Sequence, residues 1–211
     1  SRYLSVWIVI CTLILSSSDI SVFAQSSESY WDRQENKLKT VQAESVENTI
    51  NALGGIGPAK WYIVKGNIIL SNRIRIRGNV HLILADNAHL QAKKGITVPR
   101  TSSLTIYSQN EDINPNTGKL TATGDTFEAG IGGGRNEEVG AITITGGQIE
   151  AYGGSAGAGI GGGHSKSGGK IKITGGKVKA KGSENGGAGI GGGFGGSGGN
   201  ITITGGQVEA Y

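Results

Sequence analysis

The amino-acid sequence predicts an all-β protein wound as a parallel β-helix, a solenoid whose coils hold about 30 residues each. The first observation is a pattern, G-x-I-x-I-T-G-G-x-(I/V)-x-A, that begins at positions 140, 169 and 199. The second is A-G-I-G-G-G, which begins at positions 129, 158 and 188, so both patterns repeat with the same spacing. The third is a strict alternation of apolar and polar residues inside each repeat, which indicates β-strands.

Each repeat is expected to form one coil of three short strands and three bends. In the first clear repeat, Ile142 and Ile144 point inward, Thr143 and Thr145 point outward, and Gly146–Gly147 permits a sharp bend. A single coil cannot bury its inner face, so neighbouring coils must stack. The predicted ladders of stacked residues are Ile142/Ile171/Ile201, Ile144/Ile173/Ile203, Ile149/Val178/Val208 and Ile131/Ile160/Ile190.

Outward positions support the same alignment. Glu150, Lys179 and Glu209 fall in one predicted column, so that charges of opposite sign alternate from coil to coil. Fainter copies of the pattern reach back to 120–124, 104–107, 80–84 and 61–64. The repeat therefore extends well before the three clear copies.

The composition excludes several other classes of protein. The 39 glycines among 211 residues rule out a helical bundle, because each glycine inside a helix costs about 1 kcal/mol relative to alanine. The net charge of +4 comes from 20 Lys+Arg and 16 Asp+Glu, and no cluster marks a nucleic-acid surface. The densest basic run, Arg73, Arg75 and Arg77, is expected to be the solvated face of a strand.

Residues 1–24 are predicted to be a secretory signal peptide. The apolar run at 3–15 is shorter than the roughly 20 residues that a membrane-spanning helix needs. Cleavage is expected after Ala24, since Val22 and Ala24 are small residues at the positions that signal peptidase reads. The mature chain would then be secreted, with no membrane span. It would also have no cysteine, because Cys11 is the single one.

Three further segments are predicted for the mature chain. Residues 25–37 form a polar lead-in, and residues 38–54 form an amphipathic helix that caps the first coil. Residues 55–211 form the β-helix, which is expected to be truncated at its C-terminal end, as a monomeric part of a larger polypeptide. The apolar residues of the predicted capping helix are Leu38, Val41, Val46, Ile50 and Leu53.

Over residues 40–211, these patterns resemble the right-handed parallel β-helix repeats of bacterial cell-surface proteins. Many proteins with such repeats are known as adhesin-like or carbohydrate-binding-domain-containing proteins. The resemblance implies a right-handed winding and a location at the cell surface. It implies little about function, because a fold does not specify a ligand.

Neither a cofactor site nor a metal site is predicted. Gly157–Gly162 matches G-x-G-x-x-G, but a dinucleotide site needs a helix after that motif, and the sequence offers none. His81, His89 and His164 lie at spacings that suit no zinc site. The sequence leaves open whether a loop carboxylate binds a single cation. The candidate ligands are Asp112, Asp125 and Glu128.

The leading functional hypothesis is a non-catalytic exported surface module, adhesin-like, that binds a polysaccharide or cell-surface glycan. The predicted ligand-binding residues are Tyr152, Lys181 and Tyr211, which should lie in one outward column. A tyrosine offers a flat apolar face to a sugar ring, and the lysine offers a charge to an acidic sugar. In the bland alternative, Lys181 simply packs over the two tyrosines. Two further alternatives are a carbohydrate-active enzyme, which needs paired carboxylates, and a purely structural stalk.

Overall fold

The structure, a computed structural model, describes residues 25–111 and 113–211, and all regular elements among them are strands. The predicted signal peptide at 1–24 and the candidate cation ligand Asp112 lie outside the described residues. Twenty strands form three sheets, which we name A, B and C. Across the described chain, no helix with the length and apolar character of a membrane span occurs.

Sheet A has eight strands, and sheets B and C have six each. Sheet A contains β1 Gln25–Asp32, β2 Lys37–Ser45, β4 Lys60–Val64, β7 Asn79–Leu84, β10 Ser103–Ser108, β13 Ala141–Ile144, β16 Lys170–Ile173 and β19 Asn200–Ile203. Sheet B contains β3 Ala52–Gly54, β6 Ile74–Arg77, β9 Ile96–Thr97, β12 Ile131–Gly132, β15 Ile160–Gly161 and β18 Ile190–Gly191. Sheet C contains β5 Asn67–Leu70, β8 His89–Ala92, β11 Lys119–Thr123, β14 Gln148–Tyr152, β17 Lys177–Lys181 and β20 Gln207–Ala210.

From β4 onward the chain visits sheets A, C and B in turn, and each strand pairs in parallel with the equivalent strand of the next coil. This is a parallel β-helix, as predicted. The right-handed sense, which is the rule for parallel crossovers, stays a prediction. All four predicted ladders are confirmed, since Ile142, Ile171 and Ile201 are successive partners, and the other three sets align in the same way.

The core is a column of aliphatic side chains at the centre of the coils. Ile106, Ile144 and Ile173 of sheet A are each fully buried, as are Leu120 and Ala151 of sheet C. Each is surrounded by the coil above and the coil below. Truncation of one such isoleucine to alanine would cost about 2–5 kcal/mol, because the stacked neighbours leave little freedom to close the cavity.

The repeated A-G-I-G-G-G motif makes close contacts between the backbones of successive coils. Gly132 follows Ile131 in β12 and has a φ of 138°, a conformation that residues with side chains rarely adopt. A Cβ atom at Gly132 would lie 2.1 Å from the carbonyl oxygen of Gly161 in the next coil. A Cβ atom at Gly161 would likewise lie 2.0 Å from the carbonyl oxygen of Gly191. Glycine recurs here because the backbones of successive coils touch.

The predicted capping helix at 38–54 is wrong. Residues 37–45 form β2, which pairs antiparallel with β1, and residues 52–54 form β3 of sheet B. Leu38, which began the supposed apolar face, is 54% exposed, whereas Val41 and Ala43 face inward with a period of two. The near-helical spacing of the apolar residues was coincidental, because pairing with β1 satisfies the backbone of this segment as a strand.

The predicted polar lead-in at 25–37 is also wrong. Residues 25–32 form β1, and a turn that contains Asn36 in a left-handed conformation joins β1 to β2. Only Glu44 and Ser45 of β2 pair with β4. We call the pair of strands β1 and β2 the hairpin (residues 25–45). Apart from Glu44 and Ser45, the hairpin therefore leaves the edge of sheet A. Two residues of β1, Glu28 and Tyr30, are buried, as they would not be in a solvated polar lead-in.

Arg73 departs from the predicted solvated strand face, whereas Arg75 and Arg77 are exposed on β6 as expected. Arg73 precedes β6 and turns into the corner between sheets C and B. Its guanidinium donates to Thr97 Oγ1 at 2.5 Å and to three carbonyls within 3.1 Å, and it lies 3.3 Å from a carboxylate oxygen of Glu128. Burial lowers the pKa of Arg73, against the opposing effect of Glu128. The side chain links three coils at this corner.

Candidate functional site

The hairpin covers the first part of the outer face of sheet A, meaning the face that points away from the core. Ile63 and Ile83 belong to this face, since they alternate with core residues, yet both are 0% exposed. In the same row of the outer face, Tyr107 lies in the coil after Ile83, and Thr145 lies in the coil after Tyr107. The outer face is thus apolar under the hairpin and polar beyond it.

Four aromatic rings fasten the hairpin to the sheet. Tyr30 lies 4.7 Å from the ring of Trp61 and 4.7 Å from that of Tyr107, edge-on in the second case. Trp61 stacks on His81 at 4.2 Å, and His81 Nδ1 is 3.0 Å from the hydroxyl oxygen of Tyr107. Such rings contribute about 0.5–1.5 kcal/mol per pair beyond their burial. We call Tyr30, Trp61, His81 and Tyr107 the aromatic cluster.

The aromatic cluster is held in its neutral form. Burial lowers the pKa of His81, which favours the uncharged imidazole. Burial also raises the pKa of Tyr107 to about 12, with smaller contributions from Tyr30 and Asp32. Both effects have one cause, because removal from water disfavours a charge on either group.

Polar contacts hold the hairpin at both of its ends. Near its start, a carboxylate oxygen of Glu28 lies 2.5 Å from Lys65 Nζ. Burial by itself would raise the pKa of Glu28, but the hydrogen bonds from Lys65 and Ser26 outweigh this effect, so the pKa is lowered. At its tip, Arg33 donates from Nε to the carbonyl oxygen of Thr145 at 2.8 Å. It also donates from Nη2 to the carbonyl oxygen of Glu111 at 2.7 Å. The tip is therefore tied to a coil far from the start of the chain.

A groove of ≈ 450 Å³ opens where the hairpin ends, and we call it the tip groove. The hairpin tip forms one wall, and the outer face of sheet A forms the floor. The floor crosses four coils, from β10 to β19. The lining residues are Asp32, Arg33, Gln34, Thr105, Tyr107, Thr143, Thr145, Lys172, Thr174 and Thr204.

Some lining groups are engaged and others are available. Thr145 donates its hydroxyl to the carbonyl of Ile106 at 2.9 Å, and Asp32 accepts from Lys39 Nζ at 2.7 Å and from two backbone amides of the turn. Within the part of the chain that the structure describes, the hydroxyl of Thr143 and the ammonium of Lys172 have no hydrogen-bond partner. The groove thus presents free donors on a rigid floor.

The sequence-predicted residues Tyr152, Lys181 and Tyr211 do come together in one column. Tyr152 and Lys181 are partners on β14 and β17, and the backbone of Tyr211 bonds to the residues on either side of Lys181. Tyr152 and Lys181 line a shallow groove of ≈ 340 Å³ together with Ser155, Glu184 and others.

The contacts around Tyr211 differ from the alternative in which Lys181 packs over the rings of both tyrosines. It is the Nζ atom of Lys179, not that of Lys181, that lies over the ring of Tyr211, at 5.9 Å from its centre. The hydroxyl of Tyr211 donates to Glu209 at 2.7 Å, and Tyr211 is not among the residues that line the shallow groove. Lys181 therefore keeps its ammonium free of both tyrosine rings in the described structure.

The tip groove does not follow from the predicted lead-in and capping helix, because its wall is the hairpin that residues 25–45 form instead. A signal for it was present. The runs at 61–64 and 80–84 are apolar at nearly every position, whereas later strands alternate. A strand without alternation is covered on both faces, so these runs indicate that some element lies over sheet A.

Other chemistry is sparse in the described residues. Among residues 25–111 and 113–211, no group of three His, Cys, Asp or Glu side chains is placed to hold a metal ion. Asp125 lies 3.3 Å from Lys94, and Glu128 lies against Arg73, so both candidate cation ligands there have basic partners. The G-x-G-x-x-G match at 157–162 contains β15 and leads into a turn, not a helix.

A family model described as Beta helix repeat matches three segments of the chain, at 116–135, 142–164 and 171–194. These segments coincide with the coils from β11 to β18. The chain therefore contains three consecutive beta-helix repeats, in agreement with the parallel sheets. Comparisons with curated proteins and with solved structures find no match.

Proposed function

We propose that this protein is a non-catalytic, exported surface module that binds a polysaccharide in the tip groove. The observation that carries the proposal is the groove itself, with free threonine and lysine donors on a floor of stacked coils. Sugars are recognised by hydrogen bonds to their hydroxyls and by apolar contact with their ring faces. Thr143 supplies the first kind of contact, and the half-buried ring of Tyr107 supplies the second.

The regular floor favours a polymer over a small ligand. Successive coils place equivalent side chains about 4.8 Å apart, so the groove offers the same contact several times along one direction. The backbone beneath is fixed by hydrogen bonds on both sides of β10, β13 and β16. Little conformational entropy is therefore lost when a ligand binds, which is the advantage of a preorganised site.

Among the described residues, one carboxylate lines the tip groove, which supports a binding role. A glycosidase needs two carboxylic groups about 5–9.5 Å apart. Asp32 is the one acidic side chain among the lining residues of the described chain, and it is already engaged by Lys39 and two amides. An acid held in this way is a poor proton donor for a leaving group.

Binding can be tested by retention of the secreted protein on a panel of immobilised polysaccharides. Thr143→Val keeps the shape of the side chain and removes its hydroxyl, and it should weaken retention about fivefold. Thr202→Val is the matched control, because Thr202 lies in the same row of the outer face but does not line the groove. If no polysaccharide retains the protein, the stalk is the better explanation. Turnover of a polymer would favour the enzyme.

Export is a separate part of the proposal and rests on the apolar run at 3–15 and on the small residues before Gln25. N-terminal sequencing of protein recovered outside the cell should begin at Gln25. An exported chain that retains Ser1 would contradict the predicted signal peptide.

A further inference from the structure

Lys172 interrupts a row of threonines on the outer face of sheet A. Pairing places Thr105, Thr143, Lys172 and Thr202 in successive coils of the same row. Nothing in the fold requires a longer side chain there, since the three neighbours in the row fit with a threonine. Lys172 is half-buried, and no carboxylate lies within 4 Å of it in the described residues.

The tip groove holds a second cation, Arg33, whose guanidinium bonds to two neutral carbonyl oxygens. Among residues 25–111 and 113–211, no carboxylate forms an ion pair with it. The charge of Asp32, in contrast, is compensated by Lys39 at 2.7 Å. Glu35 in the same turn is paired with Lys37 at 2.6 Å, and also with Lys39. The lysines of the hairpin thus neutralise the two acids of its tip, Asp32 and Glu35, and the groove beside them is left positively charged.

We propose that Arg33 and Lys172 make the tip groove selective for a glycan whose sugar units carry carboxylates. The inference rests on the proposed function and adds the class of ligand to it. A guanidinium that has spent two donors on carbonyls retains further N–H groups, and a charge-assisted hydrogen bond to a carboxylate is stronger than one to a hydroxyl. Lys172 supplies a point charge on the floor, one coil beyond Thr143.

General attraction of any polyanion is the competing explanation. The coil from β16 to β17 carries five lysines, and none of them has a carboxylate partner within 4 Å among the described residues. Those lysines are Lys170, Lys172, Lys177, Lys179 and Lys181. A test must therefore separate a charge in the groove from an equal charge elsewhere on the same coil. Lys177, which lies exposed on sheet C, is the suitable comparison.

The experiment measures the dissociation constants of a polyuronate and of the same polymer after its carboxyl groups have been reduced to alcohols. The wild-type protein should bind the polyuronate about tenfold more tightly. Lys172→Thr, which completes the threonine row, should remove most of that preference, because it weakens binding of the polyuronate more than binding of the reduced polymer. Lys172→Arg should retain the preference. Lys177→Thr, with the same change of net charge, should also retain it.

The outcomes separate the two claims. If neither polymer binds, the proposed function fails. If both polymers bind equally to the wild type, or if Lys177→Thr loses the preference as fully as Lys172→Thr, the groove is not selective for carboxylates, while the binding function stands. A normal β-type circular dichroism spectrum and melting temperature for each variant show that a loss comes from the groove and not from the fold.

Discussion

The Nε–H group of Arg33 donates a hydrogen bond to the carbonyl oxygen of Thr145 at 2.8 Å, across a sequence separation of 112 residues. Arg33 is in the tip of the hairpin, and Thr145 follows β13 in the first clear repeat. Close to this contact, Gly175 of the next coil has no room for a side chain, because a Cβ atom there would lie 2.1 Å from Arg33 Nε. The bond therefore sets the wall of the tip groove against its floor.

Removal of this link should loosen the tip without unfolding the coils. Arg33→Ala loses two hydrogen bonds from a charged donor, so we expect a loss of about 1–3 kcal/mol and faster amide hydrogen exchange in residues 33–37. Arg77→Ala is the control, since Arg77 is exposed on β6 and makes no ion pair within the described residues. Unchanged exchange at the tip would mean that the aromatic cluster and the Glu28–Lys65 contact hold the hairpin without Arg33.

The charge column on sheet C provides a test of the coil register. Glu150, Lys179 and Glu209 are successive strand partners, as predicted, but the carboxylate of Glu150 pairs with Lys119, at 2.7 Å, and not with Lys179. Lys179→Glu would place three acids in one column, and we expect the melting temperature to fall by about 1–3 °C at low ionic strength. The loss should shrink in high salt, because exposed charges are screened. A melting temperature that stays constant at low salt would argue against the register.

Stability should decrease as the pH falls below the ordinary pKa of histidine. Burial lowers the pKa of His81, and it is also the largest cause of the lowered pKa of His89. At a pH under about 6.5 the unfolded chain therefore binds protons that the folded chain does not bind. The stabilisation is fully present above that pH and is lost as the pH falls through the lower folded values.

The variant His81→Phe isolates the contribution of one histidine. It keeps a ring against Trp61 and removes the titration, so its free energy of unfolding should depend less steeply on pH between about 6.5 and 5. Chemical denaturation at several pH values measures this slope. Equal slopes for the two proteins would show that His81 does not couple protonation to folding. Losses at still lower pH come from carboxylates whose pKa values are lowered in the folded state, among them Glu28 and Asp32.

The column predicted from the sequence remains a testable second surface. Tyr152→Ala should weaken retention on an immobilised acidic polysaccharide if the groove beside Lys181 binds sugar, and the β-type circular dichroism spectrum should not change. Thr123→Ala is the matched control, because Thr123 pairs with Tyr152 one coil earlier and does not line that groove. Equal retention of all three proteins would restrict binding to the tip groove.

The coils could be predicted because their information is local and repeated. A shift of one residue would turn Ile142 and Ile144 to the solvent, so only one register buries every ladder at once. The same repeat spacing predicts that Tyr152, Lys181 and Tyr211 share one column. It does not predict that Lys179 lies over the ring of Tyr211, because the repeat spacing determines which strands align and not which conformations their side chains adopt.

The hairpin could not be predicted in this way, because residues 25–45 occur once and no second copy reveals their period. Two weak patterns compete there. The apolar residues from Leu38 to Leu53 fit a helix approximately, and Val41 with Ala43 fits a strand. Backbone pairing with β1 and burial of Tyr30 against Trp61 favour the strand, and both contacts involve residues outside the segment itself.

The sequence therefore specifies the β-helix through a repeated inward pattern, whose burial is possible in one stacking arrangement. The tip groove arises differently. Its wall, near Arg33, and its floor, near Lys172, belong to segments that share no pattern and meet only when the hairpin folds across sheet A. Periodicity records which residues of a strand face the core. It cannot record which distant segment covers the other face, since that depends on the free energy of packing the two surfaces together.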